Sequence, residues 1–173
     1  MAIDELAART RAAGRLESDA WIAETTLAGE EALLVKPQSY MNLSGEPVSR
    51  LLAAKGGVPA DLIVIVDDVA LPLGRLRVRP EGSDGGHNGL GSLIASLGTD
   101  AFARVRIGVG QAATEAAAER ETERDLAEFV LADFLPEETG PLREVVGLAA
   151  DAVSCLAEFG VAEAMNRFNG RAV

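Results

Sequence analysis

Polar and apolar positions alternate along some stretches of this chain and recur every three to four residues along others, and the two periods divide it into strands and helices. Ile3, Leu6 and Ala7 share one face of a helix at the very start, with no room before it for a capping residue, whose loss costs ~1 kcal/mol. Trp21, Ala23, Thr25 and Leu27 alternate with polar neighbours, and Glu31–Lys36 follows after Ala28, Gly29 and Glu30. That pair predicts a β-hairpin, which Pro37 ends. A helix through Val48, Leu51 and Leu52 comes next, with Ser44 as its N-cap, Pro47 in its first turn and a stop near Gly56 and Gly57. Leu62–Val66 is apolar throughout and reads as a strand covered on both faces. Leu73–Pro80 alternates sharply, with Arg75, Arg77 and Arg79 on one face and Leu76 and Val78 on the other; Phe102–Gly110 repeats the device with Arg104 and Arg106 opposite Val105 and Ile107. Between these strands, Leu90, Leu93, Ile94 and Leu97 mark a helix. Gln111–Arg124 has no clear apolar period and reads as a loop or weak helix, and Leu126, Phe129, Val130, Leu131 and Phe134 follow it. Pro136 opens a long helix whose apolar face is Leu142, Val145, Val146, Ala149, Val153, Leu156 and Phe159; Gly160 ends it, and a short helix runs on to about Phe168. No repeat and no domain boundary is visible, so residues 1–173 read as a single α/β domain.

Composition narrows the function classes. The longest apolar runs are far too short to span a bilayer, and no basic segment followed by an apolar run opens the chain, so neither a membrane span nor a signal peptide is expected. One cysteine, Cys155, cannot build a disulfide framework, which fits a reducing cytoplasm. With one histidine and one cysteine, a zinc site would need mostly carboxylates. The net charge of −11 argues against nucleic-acid binding by the surface as a whole. Its distribution argues otherwise, because the stretch from Arg75 to Arg106 is locally basic. Alternate arginines on a strand stand ~7 Å apart, close to the spacing of phosphates along a nucleic-acid strand. Five arginines and no lysine select planar, bidentate donors, so phosphate binding is favoured over two merely solvated strand faces.

Two further stretches carry candidate chemistry. Gly82–Gly89 holds four of the 18 glycines and the single histidine, His87, beside Asn88. A strand runs in and a helix runs out, so His87 and Asn88 fall at a helix N-terminus whose free N–H groups suit an anion. A tight turn with a solvated histidine fits equally well. Asp67 and Asp68 end the apolar strand, where open α/β sheets face their ligand crevice; a solvated loop is the other reading.

Five ordered motifs cover most of the chain: Lys36-Pro-Gln-Ser-Tyr-Met-Asn-Leu-Ser-Gly45, Val66-Asp-Asp68 with Leu71-Pro-Leu-Gly74, Gly85-Gly-His-Asn-Gly-Leu90, Arg104-Val-Arg-Ile-Gly-Val-Gly110 and Ala164-Met-Asn-Arg-Phe-Asn169. Together they resemble the bacterial peptidyl-tRNA hydrolases. The resemblance implies an α/β domain with a mixed twisted sheet between helices. It implies hydrolysis of the ester that joins a peptide to the 3′ ribose of tRNA, by a cytoplasmic monomer that uses neither metal nor organic cofactor. Tyr40 and Asn42 resemble the positions that contact the tRNA 3′ end and the peptide, and Met41 lines the same crevice. Asp67 resembles the carboxylate that supports the catalytic base. Asn88 resembles the residue that orients water or substrate, with His87 lining the crevice beside it. Arg79 and Arg106 fall where the family keeps cations for the tRNA 5′ phosphate. A non-catalytic tRNA- or RNA-binding protein on the same fold is the alternative.

The resemblance also implies a departure. The family opens with a strand, a Gly-Asn-Pro-Gly loop and an Arg-His-Asn-x-Gly segment that supplies the base histidine. Met1–Leu6 resembles the helix just beyond that segment, so the N-terminal strand is expected to be missing here, whether from a start site placed too late or in a truncated paralogue. The expectation is a poorly active form with exposed strand edges, less stable or prone to aggregate.

Overall fold

The computed structural model describes residues 1–110 and 134–173. The readings of Gln111–Arg124 and of the apolar pattern up to 133 lie outside them. Among the described residues, four helices, α1 (Ala2–Thr10), α2 (Gly45–Ala54), α3 (Asn88–Leu97) and α4 (Thr139–Phe168), surround six strands: β1 (Arg15–Glu17), β2 (Ala20–Leu27), β3 (Glu30–Pro37), β4 (Ile63–Pro72), β5 (Leu76–Arg79) and β6 (Ala103–Gly110).

The strands form two sheets of three. The expected hairpin is β2–β3, paired in register from Ala20–Pro37 to Leu27–Glu30. Its turn is the two-residue Ala28–Gly29, both at positive φ, as a hairpin that matches the strand twist requires. The short strand β1, exposed and without an apolar pattern, joins β2 through a second such turn at Ser18–Asp19. The other sheet is mixed, in the order β4-β6-β5, with β4 parallel and β5 antiparallel to β6.

Alternation along β4 sends Ile63 and Ile65 into one core and Val64 and Val66 into the other, so the apolar run Leu62–Val66 is covered on both faces. These residues are only half-buried, because among the described residues β4 has a strand neighbour on one side alone. The strand also runs on through Asp67 and Asp68 to Pro72. On one face, Leu76, Val78, Val105 and Ile107 pack against α4 and α1. On the other, Leu90 and Leu93 of α3 pack with Phe102.

The α4 reading holds for Leu142, Val145, Val146, Ala149 and Val153, all buried. Phe159 is a correction: it is 51% exposed, with the Arg167 guanidinium 4.8 Å from its ring centre. The helix breaks just after it, at Gly160 (φ 80°, ψ 174°), and the buried stripe ends before Phe159. By length and composition Pro136–Phe168 would suffice to cross a bilayer; here its apolar face lines the core.

Asn169, just past α4, holds the outer strand. Its Oδ1 accepts from the Val78 N–H (2.6 Å) and its Nδ2 donates to the Val78 carbonyl (3.1 Å), so both backbone groups at mid-β5 are satisfied by one side chain.

Candidate active site

His87 is the N-cap of α3. Its Nδ1 accepts the N–H groups of Gly89 (3.1 Å) and Leu90 (3.2 Å), which the helix cannot satisfy internally. The expectation of free N–H groups waiting for an anion is therefore corrected: two of them are taken by the preceding side chain. An Nδ1 that accepts must carry its lone pair there, so the neutral ring bears its proton on Nε2. That nitrogen lies 3.2 Å from Asp67 Oδ1, and the ring donates to the carboxylate. Both ring nitrogens are engaged. The hydrogen bond from His87 holds the Asp67 carboxyl below its ordinary range, against the opposing effect of partial burial.

Asn88 follows as the first residue of α3, exposed, and its side chain makes no hydrogen bond with a described residue. The next turn of chain to approach is Tyr40–Ser44. Tyr40 and Met41 are 82% and 55% exposed, and Asn42 is exposed beside them. Two glycines let this turn lie against α3. A Cβ on Gly89 would stand 2.7 Å from Met41 Sδ, and one on Gly45 would stand 2.1 Å from the Ser92 carbonyl oxygen. Ser44 does not cap α2 with its side chain; the first N–H of the helix, Gly45, is instead accepted by Ser92 Oγ on α3 at 2.9 Å. The turn with Tyr40, Met41 and Asn42 is thus fastened to the helix that starts at Asn88.

The arginine face divides. Arg104, read as part of a phosphate-binding field, is 2% exposed. Its Nη1 donates to the carbonyls of Gly82 (2.6 Å) and Ser83 (3.0 Å), its Nη2 to that of Asp100 (2.8 Å), and its guanidinium lies 4.6 Å from the centre of the Phe102 ring. Arg104 anchors the glycine loop and is closed to a ligand, because the loop folds over that end of β6. Arg106 is a quarter exposed, with Nε 3.0 Å from Oδ2 of the buried Asp68 in an ion pair not aligned as a hydrogen bond. Arg79 is exposed at the end of β5, where the chain enters the glycine loop. The solvated-loop reading of Asp67 and Asp68 gives way to two distinct environments, one facing His87 and one facing Arg106.

The sequence model of the family described as Peptidyl-tRNA hydrolase matches residues 1–173. The chain belongs to that family. Among curated relatives, the peptidyl-tRNA hydrolase of Desulforudis audaxviator is 43% identical over 98% of this chain and 82% of its own length. That of Alkaliphilus oremlandii is 41% identical over 98% of this chain and 87% of its own length. The fold agrees: the crystal structure of peptidyl-tRNA hydrolase from Acinetobacter baumannii superposes with a TM-score of 0.87, covering 99% of this chain and 84% of that one at 23% identity.

In this peptidyl-tRNA hydrolase fold, sequence reasoning passed over three side chains that shape the site: Ser92, Asp68 as the partner of Arg106, and Asn169. Asp68 carried a signal, being a second carboxylate at a strand end. Ser92 and Asn169 sit inside matched or periodic segments, and only their tertiary partners reveal their work.

Proposed function

We propose that this chain cleaves the ester between a peptide and the 3′ ribose of tRNA in the crevice between the Tyr40–Ser44 turn and the start of α3. The observation that carries the reading is the pairing of His87 with Asp67 directly beside the open amide of Asn88 and the exposed Tyr40, Met41 and Asn42. Water attacks the ester carbonyl, a tetrahedral oxyanion forms, and the ribose oxygen leaves with a proton. The Asn88 amide can donate to the oxyanion or orient the water. Tyr40, Met41 and Asn42 receive the acceptor end and the first peptide residues. Arg79 and Arg106 meet the phosphate of the 5′ end. The protein works as a monomer in the cytoplasm.

Activation of the water is the demanding step. The single histidine has its Nδ1 lone pair committed to the helix start and its Nε2 proton committed to Asp67. The remaining base is a carboxylate held below its ordinary range, far from the near-neutral value that suits proton abstraction. Turnover by this chain is expected to fall ~10²–10⁴-fold short of a site with a well-placed imidazole base. Single-turnover hydrolysis of N-acetyl-aminoacyl-tRNA across pH 5–9 checks this. The rate is expected to climb with hydroxide and show no inflection near ~6.5, the ordinary imidazole value. A plateau above such an inflection would mean that a ring nitrogen is free, and would overturn the assignment. No cleavage above background at any pH would overturn the hydrolytic reading for this chain.

A further inference from the structure

The side chains that receive the substrate sit on two separate pieces of chain. Tyr40, Met41 and Asn42 belong to one tight turn, and Asn88 opens α3. The turn keeps its own shape: the Leu43 N–H donates to the Tyr40 carbonyl (2.8 Å) and the Ser44 N–H to that of Met41 (3.2 Å). It buries little, since Tyr40, Met41 and Leu43 are each more than half exposed, so side-chain packing does little to fix where the turn stands. Its two ends fix it instead. Upstream, the Gln38 N–H donates to the Asp19 carbonyl (2.8 Å). Downstream, the Gly45 N–H donates to Ser92 Oγ (2.9 Å), among the described residues the one hydrogen bond between this segment and α3. The glycine permits that approach, because a Cβ on it would stand 2.1 Å from the Ser92 carbonyl oxygen and 2.6 Å from Ser96 Oγ.

We propose that Ser92 is a positioning residue of the candidate active site, holding the substrate-receiving turn in register with Asn88. This role rests on the hydrolytic reading above. The spacing on α3 gives the bond its reach. Asn88 and Ser92 are four residues apart, so they stand one above the other on one face of the helix, ~6 Å apart along its axis. Asn42 lies three residues before Gly45. From Asn42 to Asn88 the path is therefore part of one turn, one hydrogen bond and one turn of helix. Without the Ser92 hydroxyl each group can still meet its part of the substrate, but the two are no longer held in register when the ester carbonyl is attacked. Loss of alignment is felt in the transition state more than in the ground state, where phosphate contacts elsewhere supply most of the binding.

The test is single-turnover hydrolysis of N-acetyl-aminoacyl-tRNA at increasing protein concentration, which separates the saturated rate from the half-saturating concentration. S92A is expected to lower the saturated rate about ten-fold, the order that a misplacement below 1 Å produces, and to leave half-saturation within about two-fold. Alanine is the stronger helix former, so α3 itself is not weakened. S92T keeps a hydroxyl that a helix allows in two rotamers, and is expected to stay within about three-fold of the unaltered chain. N88A and N88A/S92A are expected to share one rate, because the alignment has no further effect once the Asn88 amide is gone. Additive losses in the double variant, or S92T falling as far as S92A, would overturn the proposal. Amide exchange gives a readout without turnover: the Gly45 N–H should exchange faster in S92A while those of Gly89 and Leu90, held by His87, stay unchanged. Equal exchange at Gly45 in both chains would mean that the fastening does not exist. If the unaltered chain cleaves and S92A matches it, the hydrolytic reading stands and only the role of Ser92 is overturned. If the unaltered chain cleaves nothing above background, both fall.

Discussion

At the scale of single residues, His87 shows how one side chain can be read correctly for place and differently for role. Its position at a helix start follows from the glycine run before it and the apolar period after it. Its role follows from the ring's orientation, which the local sequence does not encode. With Nδ1 on two backbone N–H groups and Nε2 on Asp67, it joins a helix cap to the middle of β4. His87→Ala is expected to cost about 1 kcal/mol at neutral pH, the usual worth of an N-cap, and His87→Asn, which can still cap, to cost less. The pair also has an acid signature. The Asp67 carboxyl is depressed in the folded state, so its contribution is present above the unfolded value of ~3.9 and is lost as pH falls through the lower folded value. His87→Ala removes the partner that causes the depression, so its stability should fall less steeply below pH ~4 than that of the unaltered chain. Melting temperatures between pH 7 and pH 3 measure both effects; equal acid slopes would mean that the contact does not hold in solution.

At the scale of elements, the strands and helices themselves were legible wherever a period was strong. The hairpin, the buried stripe of α4 as far as Val153 and the break at Gly160 all stand where the pattern places them, because burial on one face enforces the period. Strand β1 was not legible: three exposed residues carry no pattern, and only pairing with β2 makes them a strand. The caps were not legible either. Ser44 has the right chemistry for an N-cap, yet the first N–H of α2 is satisfied from another helix by Ser92. Strand β5 needs Asn169 for the same reason, since the partner that completes its hydrogen bonding is 91 residues away. Asn169→Ala leaves the Val78 N–H and carbonyl without those bonds, and should destabilise the protein by about 2 kcal/mol, the order expected of buried backbone groups left unsatisfied. Urea unfolding checks this, and a change under 0.5 kcal/mol would mean that water or a neighbouring strand takes over.

At the scale of the whole molecule, a mixed sheet divides two cores, and the candidate site lies where the ends of β4 and β6 meet the start of α3 and the Tyr40–Ser44 turn. The larger core is the one that α4 closes. Val145→Ala, at a fully buried position, is expected to cost about 1–3 kcal/mol, whereas Phe159→Ala should stay within 0.5 kcal/mol despite removing a larger side chain. Urea midpoints for the two variants test whether the break at Gly160 sets the limit of the core; similar losses would put Phe159 back into it. The sequence by itself determined the α/β class, the order of most elements, the basic stretch in an acidic chain and the motifs of a peptidyl-tRNA hydrolase. These are properties of period, composition and spacing, which are local along the chain. Tertiary structure alone decided that Arg104 is spent on the glycine loop while Arg106 stays open, that Asp67 and Asp68 serve different partners, and that both nitrogens of the one histidine are occupied. Each of those outcomes depends on which groups meet across long sequence separations, and alternation along a strand says which face a side chain takes but not what it finds there.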